Sequence, residues 1–208
     1  MVNVTVNGVA LQVEEGTSIL EATRKAGYSV PTLCYMEGVH EIGACRVCVV
    51  EVEGVERLIT SCNNVVTDGM VVRTNTARVR EARRTNLELL LSQHRVNCPT
   101  CERHGTCQLQ ELVSAFPVGD EKHYPTEYLE LPWDETLPLI RDESKCVKCY
   151  RCVSVCDKIQ SLNIWDMVGT GSHTTVNVSR HRKLADADCA FCGQCVTHCP
   201  TNALHARD

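Results

Sequence analysis

Four of the fifteen cysteines, at 146, 149, 152 and 156, follow the pattern C-x2-C-x2-C-x3-C, and four more, at 189, 192, 195 and 199, repeat it. Chance does not write such a pattern twice, so residues 146–199 hold an internal repeat that gathers sulfur. Aromatic residues are only 4% of the 208. Small modules with so little apolar bulk need a cross-link to hold them. Disulfides are a poor candidate, because fifteen is odd. The opening MVNVTVNGVALQVEEG also lacks the basic start and long apolar run of a secretory signal or membrane anchor, which reads as a cytoplasmic, reducing setting. Metal remains. A structural zinc site uses two C-x2-C knuckles, and it has no place for a third cysteine at x2 followed by a fourth at x3.

The repeat resembles the two-cluster bacterial ferredoxins, down to Pro200 after the final cysteine. That resemblance implies crossed wiring, in which three closely spaced thiolates wrap one cubane and the fourth cysteine starts a helix pointing across to the other. Cys146, Cys149, Cys152 and Cys199 would then hold one [4Fe-4S] cluster, and Cys189, Cys192, Cys195 and Cys156 a second. Backbone N–H groups in the cysteine turns are the expected donors to sulfur, stabilising the reduced cluster. Cys156 is followed by Asp157 where the pattern has proline, which bears on local geometry and not on ligation.

Upstream, residues 2–13 alternate apolar and polar about Asn7-Gly8, a hairpin signal with Val2, Val4 and Val6 facing Val9, Leu11 and Val13. Ser18 and Glu21 form a capping box ahead of Ile19, Leu20, Ala22 and Ala26, with Gly27 as the stop. Strands are expected at Val47 to Val52, Val55 to Ile59 and Gly69 to Arg73. The order is that of a β-grasp domain over 1–75. Asn75 or Thr76 then opens a helix in which Val79, Ala82, Leu87, Leu90 and Leu91 recur at helical spacing as far as about His94. The run Arg78, Arg80, Arg83, Arg84 on that helix reads as a solvated face or a docking patch. Residues 116–140, with Pro117, Pro125, Pro132 and Pro138, read as a connector. Gly169-Thr170-Gly171 lacks the context of a dinucleotide fingerprint and reads as a hairpin loop.

Two further ligand sets follow. Cys34, Cys45, Cys48 and Cys62 have the order of a [2Fe-2S] site, one cysteine, a C-x2-C pair and a distant fourth, although ten residues separate the first two where plant-type ferredoxins have four. Cys98, Cys101 and Cys107 leave a [4Fe-4S] cluster one ligand short. His94, four residues before Cys98, could complete it, and His104 inside the same loop is a competitor. The x10, x2, x13 spacing of the first set resembles the large iron–sulfur subunit of respiratory complex I and the iron-only hydrogenases. The pattern H-x3-C-x2-C-x5-C, which marks a histidine-ligated cubane in both families, implies His94 as the ligand.

In order, these motifs resemble the N-terminal electron-transfer region of iron-only hydrogenases, and its relatives in NAD-linked formate dehydrogenases and electron-bifurcating transhydrogenases. The resemblance implies an α+β chain with a β-grasp domain (1–75), a helical histidine/cysteine cluster segment (76–115), the connector and a two-cluster ferredoxin domain (141–208). One [2Fe-2S] and three [4Fe-4S] clusters follow. It further implies electron relay between an NAD(P)H-handling flavoprotein and another redox centre, beside a small thioredoxin-like [2Fe-2S] subunit. A ferredoxin, a hydrogenase or a formate dehydrogenase could be the other party. The chain would be either a stand-alone subunit or the N-terminal region of a longer polypeptide. All fifteen cysteines are spoken for, and no flavin, nucleotide or molybdenum motif is present, so the chain reads as non-catalytic. The formal charge of −5 becomes about −12 with clusters bound, which argues against nucleic acid as a partner.

Overall fold

Asn7 and Gly8 both take positive φ, 48° and 89°, the backbone twist that lets two right-twisted strands pair across a two-residue turn. Strands β1 (Val2–Val6) and β2 (Val9–Val13) accordingly run antiparallel with Val6 opposite Val9. The computed structural model describes residues 1–119, 124, 133–134, 136–179 and 182–207. Helix α1 (Ile19–Lys25) starts where Ser18 Oγ accepts the Glu21 N–H at 3.1 Å, while the Glu21 carboxylate pairs with Lys25 at 3.0 Å. Its Ile19, Leu20 and Ala22 share a buried core with Val4, Val6, Val13, Val50 and Val72. Burying each Val, Leu or Ile there contributes about 1.5–3 kcal/mol.

Strands β3 (Val49–Val52), β4 (Ile59–Thr60) and β5 (Met70–Arg73) complete a five-stranded sheet in the order β2-β1-β5-β3-β4. β5 runs parallel to β1 and antiparallel to β3. The expected strand at 55–59 is cut to two residues. Gly54, at φ 79°, turns the chain so that Val55 N–H reaches back to Val52 O, and Arg78 takes Glu56 O as a partner at 2.5 Å, so residues 55–58 leave the sheet.

Helix α2 (Ala77–Ser92) begins at Thr76, whose Oγ1 accepts the Val79 N–H. It stops at Ser92, two residues short of the sequence expectation, and leaves His94 just beyond the helix. Val79 and Leu87 are buried as expected, but so is Arg83, at 3% exposure, which corrects the reading of the arginine run as solvated. Arg83 Nε and Nη2 donate to Val47 O and Val49 O at 3.1 and 3.0 Å, and the guanidinium lies over the Phe116 ring. It closes the loop carrying Cys45 and Cys48 against α2. Helix α3 (Gln108–Ala115) follows.

Within the expected connector, Pro125 and Pro132 lie outside the described residues. The last module starts with β6 (Leu139–Arg141), inside the span read as connector, because β6 pairs with β9 (Leu204–Ala206) at the chain's far end. Between them lie helix α4 (Arg151–Ser154), the hairpin β7 (Trp165–Val168) and β8 (Thr175–Val178), and helix α5 (Gln194–Thr197). The β7–β8 loop needs glycine at 169, since a Cβ there would stand 2.4 Å from His173 O. The modules do not have separate cores. Leu33, Cys34, Cys45 and Val47 of the first pack with Leu87, Leu109 and Leu112 and with Val147 and Cys149 of the last.

Arg83→Met is expected to leave two buried carbonyls without a donor and to cost about 2–4 kcal/mol. The check is a lowered thermal midpoint with faster hydrogen exchange in β3 and α2, only partly recovered in Arg83→Lys.

Candidate metal centres

Cys34, Cys45, Cys48 and Cys62 are all buried, on loops that hang from β3, β4 and the segment before it. They face each other in pairs. Cys48 Sγ stands 3.3 Å from Cys62 Sγ, and Cys34 shares a thiol hydrogen bond with Cys45. The thiol hydrogen bond within each pair lowers Cys45 to about 6 and Cys48 to about 7. The same bonds and burial push Cys34 and Cys62 up. The Val47 N–H is aimed at the Cys45 sulfur and the Cys62 N–H at that of Cys48, while the Ser61 N–H donates to Cys48 O at 3.1 Å.

In the last module the two triplets fold alike. Lys148 and Tyr150 take φ of 51° and 61°, and Phe191 and Gly193, at the same places in the second copy, take 48° and 75°. A left-handed residue on either side of the middle cysteine swings N–H groups toward sulfur: Lys148 N–H to Cys146, Arg151 N–H to Cys149, Phe191 N–H to Cys189. Each such non-glycine residue costs roughly 1–2 kcal/mol, strain that accumulates at functional turns. Here only Gly193 escapes it.

The fourth cysteine of each copy does not start a helix, contrary to the expectation. The left-handed residue at 150 or 193 caps a helix that holds the third cysteine, and the fourth comes later, in the helix's continuation or just past its end. Cys199 follows α5, and Cys156 sits in a π-turn, Val155–Ile159, that continues α4. Such wide turns re-aim a side chain, and here Cys156 Sγ accepts the Ile164 N–H at 3.3 Å. The result is exchange between copies. One cavity is lined by Cys146, Cys149, Cys152 and Cys199, another by Cys156, Cys189, Cys192 and Cys195. Burial raises Cys146 and Cys152 well above the usual thiol range, Cys149 to about 12 and Cys195 to about 11.

A third cavity is lined by His94, Cys98, Cys101 and Cys107, with His104 and Thr201 at its margin. His94 is buried, and its Nδ1 lies 3.1 Å from Lys145 O. A carbonyl can only accept, so Nδ1 carries the proton and Nε2 keeps its lone pair free. Burial lowers the His94 pKa, favouring the neutral ring that a metal needs. His104 is exposed and its Nδ1 meets Gln110. Among the described residues no three His, Cys, Asp or Glu side chains are gathered for a single ion. Sulfur that stands around a space fits a polynuclear cluster better than mononuclear zinc.

Some of the surrounding residues gave no sequence signal. His40 is 1% exposed; its Nε2 meets Cys149 O at 2.7 Å and its Nδ1 meets Ser154 Oγ at 2.5 Å. Arg151 donates to Cys34 O and Tyr35 O, and Arg103 to Cys199 O. Their partners lie about a hundred residues away in the chain, beyond the reach of any local pattern.

Residues 1–77 match the model of a 2Fe-2S iron–sulfur cluster binding domain, 83–122 that of the iron–sulfur binding region of NADH-ubiquinone oxidoreductase-G, and 145–204 that of a 4Fe-4S dicluster domain. NADP-reducing hydrogenase subunit HndD of Solidesulfovibrio fructosivorans is 41% identical over 98% of the chain and 36% of its own length. The chain is similar to these proteins along nearly its whole length, and each matched region is an iron–sulfur binding one. The alpha subunit of an NADPH-Fe(3+) oxidoreductase of Geobacter sulfurreducens is 37% identical over 98% of the chain and 24% of its own length. The module thus spans about a third and about a quarter of these two relatives. A chain of an NAD+-reducing [NiFe]-hydrogenase, solved in the H2-reduced state, superposes with a TM-score of 0.88 at 28% identity, covering 99% of this chain and 87% of that one. No helix among the described residues is long and apolar enough to cross a membrane.

Gly193→Val puts a β-branched residue at φ 75°, a conformation such residues strongly resist. The expected outcome is a loss of iron from the anaerobically reconstituted protein, with the other triplet's signal retained in low-temperature magnetic resonance.

Proposed function

We propose that the module relays electrons between an NAD(P)H-handling flavoprotein and a second redox centre, without turning over a substrate itself. The observation that carries this is the contiguity of the four ligand sets. Cys45 and Cys149 share one core. His94 bonds the carbonyl of Lys145, next to Cys146, and Cys152 lies close enough to Cys195 to feel its charge. The Cys146 set is therefore the hub of the four.

In this reading Cys34 and Cys45 hold one iron of a [2Fe-2S] cluster, and Cys48 and Cys62 the other. His94, Cys98, Cys101 and Cys107 hold a [4Fe-4S] cluster, and the two cavities of the last module hold one each. When bound, the clusters supply reversible one-electron chemistry. The chain does the rest. Its cores shield the buried thiolates from water, the knuckle N–H groups stabilise negative charge at sulfur, and Lys145 O fixes the His94 tautomer. The strand order with α1 across the sheet supports a β-grasp assignment for the first domain. The relatives' printed activities support the nicotinamide link, and with it a flavoprotein and a thioredoxin-like [2Fe-2S] subunit as partners. A ferredoxin, hydrogenase or formate dehydrogenase centre would stand at the other end. All fifteen cysteines fall in the four sets, which supports a non-catalytic role.

The anaerobically reconstituted chain should bind about 14 iron and 14 sulfide and pass electrons from a strong reductant to a viologen. It should not oxidise NADH until a flavoprotein is added. Binding of about ten iron would remove the His94 set, and NADH turnover by the pure chain would overturn the relay.

Crossed ligation gives a sharper test. Cys199→Ala should damage the cluster on Cys146, Cys149 and Cys152 and spare the one on its nearer neighbours, Cys189, Cys192 and Cys195. Loss of the nearer cluster instead would show that each copy ligates its own.

A further inference from the structure

Arg151 and Arg141 are both buried arginines of the last module, at 7% and 8% exposure, but their surroundings differ. Arg141 is neutralised by Glu143, with Nη2 to Oε2 at 3.2 Å and both side chains buried. No carboxylate pairs with Arg151 among the described residues; its partners are two carbonyls, Cys34 O at 3.3 Å from Nε and Tyr35 O at 3.2 Å from Nη2. A guanidinium with no counter-ion is costly to bury. Two carbonyl dipoles offset only part of that.

The missing negative charge lies on both sides. Arg151 sits in sequence between Cys149 and Cys152, and its own N–H points at the Cys149 sulfur. Its side chain ends on the backbone of Cys34, from the first set. We propose that Arg151 is a shared counter-ion for the two-iron cluster on Cys34, Cys45, Cys48 and Cys62 and the cubane on Cys146, Cys149, Cys152 and Cys199, so that one fixed charge raises both potentials together. This rests on the ligand reading above. A cation stabilises the more negative, reduced state of each neighbouring cluster. Because the same side chain holds the carbonyl of Cys34, it also ties the two cysteine loops to each other. The cluster on Cys156, Cys189, Cys192 and Cys195 receives no bond from Arg151 and serves as the internal control.

The test is a redox titration of the fully loaded chain followed by low-temperature magnetic resonance, with Arg151→Met and Arg151→Lys. Wild-type iron content and four cluster signals check the ligand reading independently. The expected result for Arg151→Met at full iron load is a shift of both neighbouring clusters to lower potential, with the control cluster unmoved. Arg151→Lys should hold both near their wild-type values. Unshifted potentials in Arg151→Met, an equal shift of all the clusters, or a lysine variant that shifts as far as the methionine variant would each overturn the proposal. If Arg151→Met loses its clusters, the lysine variant decides by the same criterion, and loss from both would make Arg151 a folding residue only.

Discussion

The seam at which Cys34, Cys45 and Val47 pack against Leu87, Val147 and Cys149 is the feature on which the rest of the structure depends. Loops that present thiolates to a cluster have little apolar side chain of their own and many backbone groups to satisfy. Here they borrow both from other modules. Arg83 from α2 supplies donors to the carbonyls beside Cys48, and His40 from the first cysteine loop reaches the carbonyl of Cys149. With buried donors spanning the seam, separating the modules would strand carbonyls at about 1–3 kcal/mol each. The relative placement of the ligand sets is thus held by the same interactions that complete the fold.

Local backbone strain is the second constraint. The knuckles of the last module place Lys148, Tyr150 and Phe191 in a left-handed conformation, which a loop free to relax would leave. They stay because that geometry brings successive N–H groups to sulfur and caps the short helices that carry Cys152 and Cys195. The π-turn at Cys156 belongs with these. One extra residue in the turn re-aims a side chain from its own triplet to the opposite one. Exchange of the fourth cysteine between copies then makes each half incomplete without the other, and β6 pairing with β9 closes the module from its two ends.

These features suit a chain that holds groups of sulfur ligands in fixed relation to one another. Burial raises the Cys146, Cys149 and Cys152 thiols, and a fixed charge beside such buried groups acts more strongly than one in water. His94 is the counter-example, a ligand candidate selected for neutrality by burial and held by a carbonyl.

The sequence by itself determined which atoms could meet. The doubled C-x2-C-x2-C-x3-C pattern, the Asn7-Gly8 turn, the Ser18 cap and the apolar rows of β1 and α2 are local signals. Spacing and periodicity suffice to read such signals, because their physics acts over a few residues. Tertiary structure decided how those pieces were enclosed. Arg83 looked solvated because its carbonyl partners lie 34 and 36 residues away. The strand at 55–59 shrank because Arg78 captured a carbonyl, and the fourth cysteines fell within or after a helix instead of starting one because a left-handed residue had already capped each helix. His40 and Arg151 left no trace in any pattern, since a buried polar group is explained only by the distant backbone it satisfies.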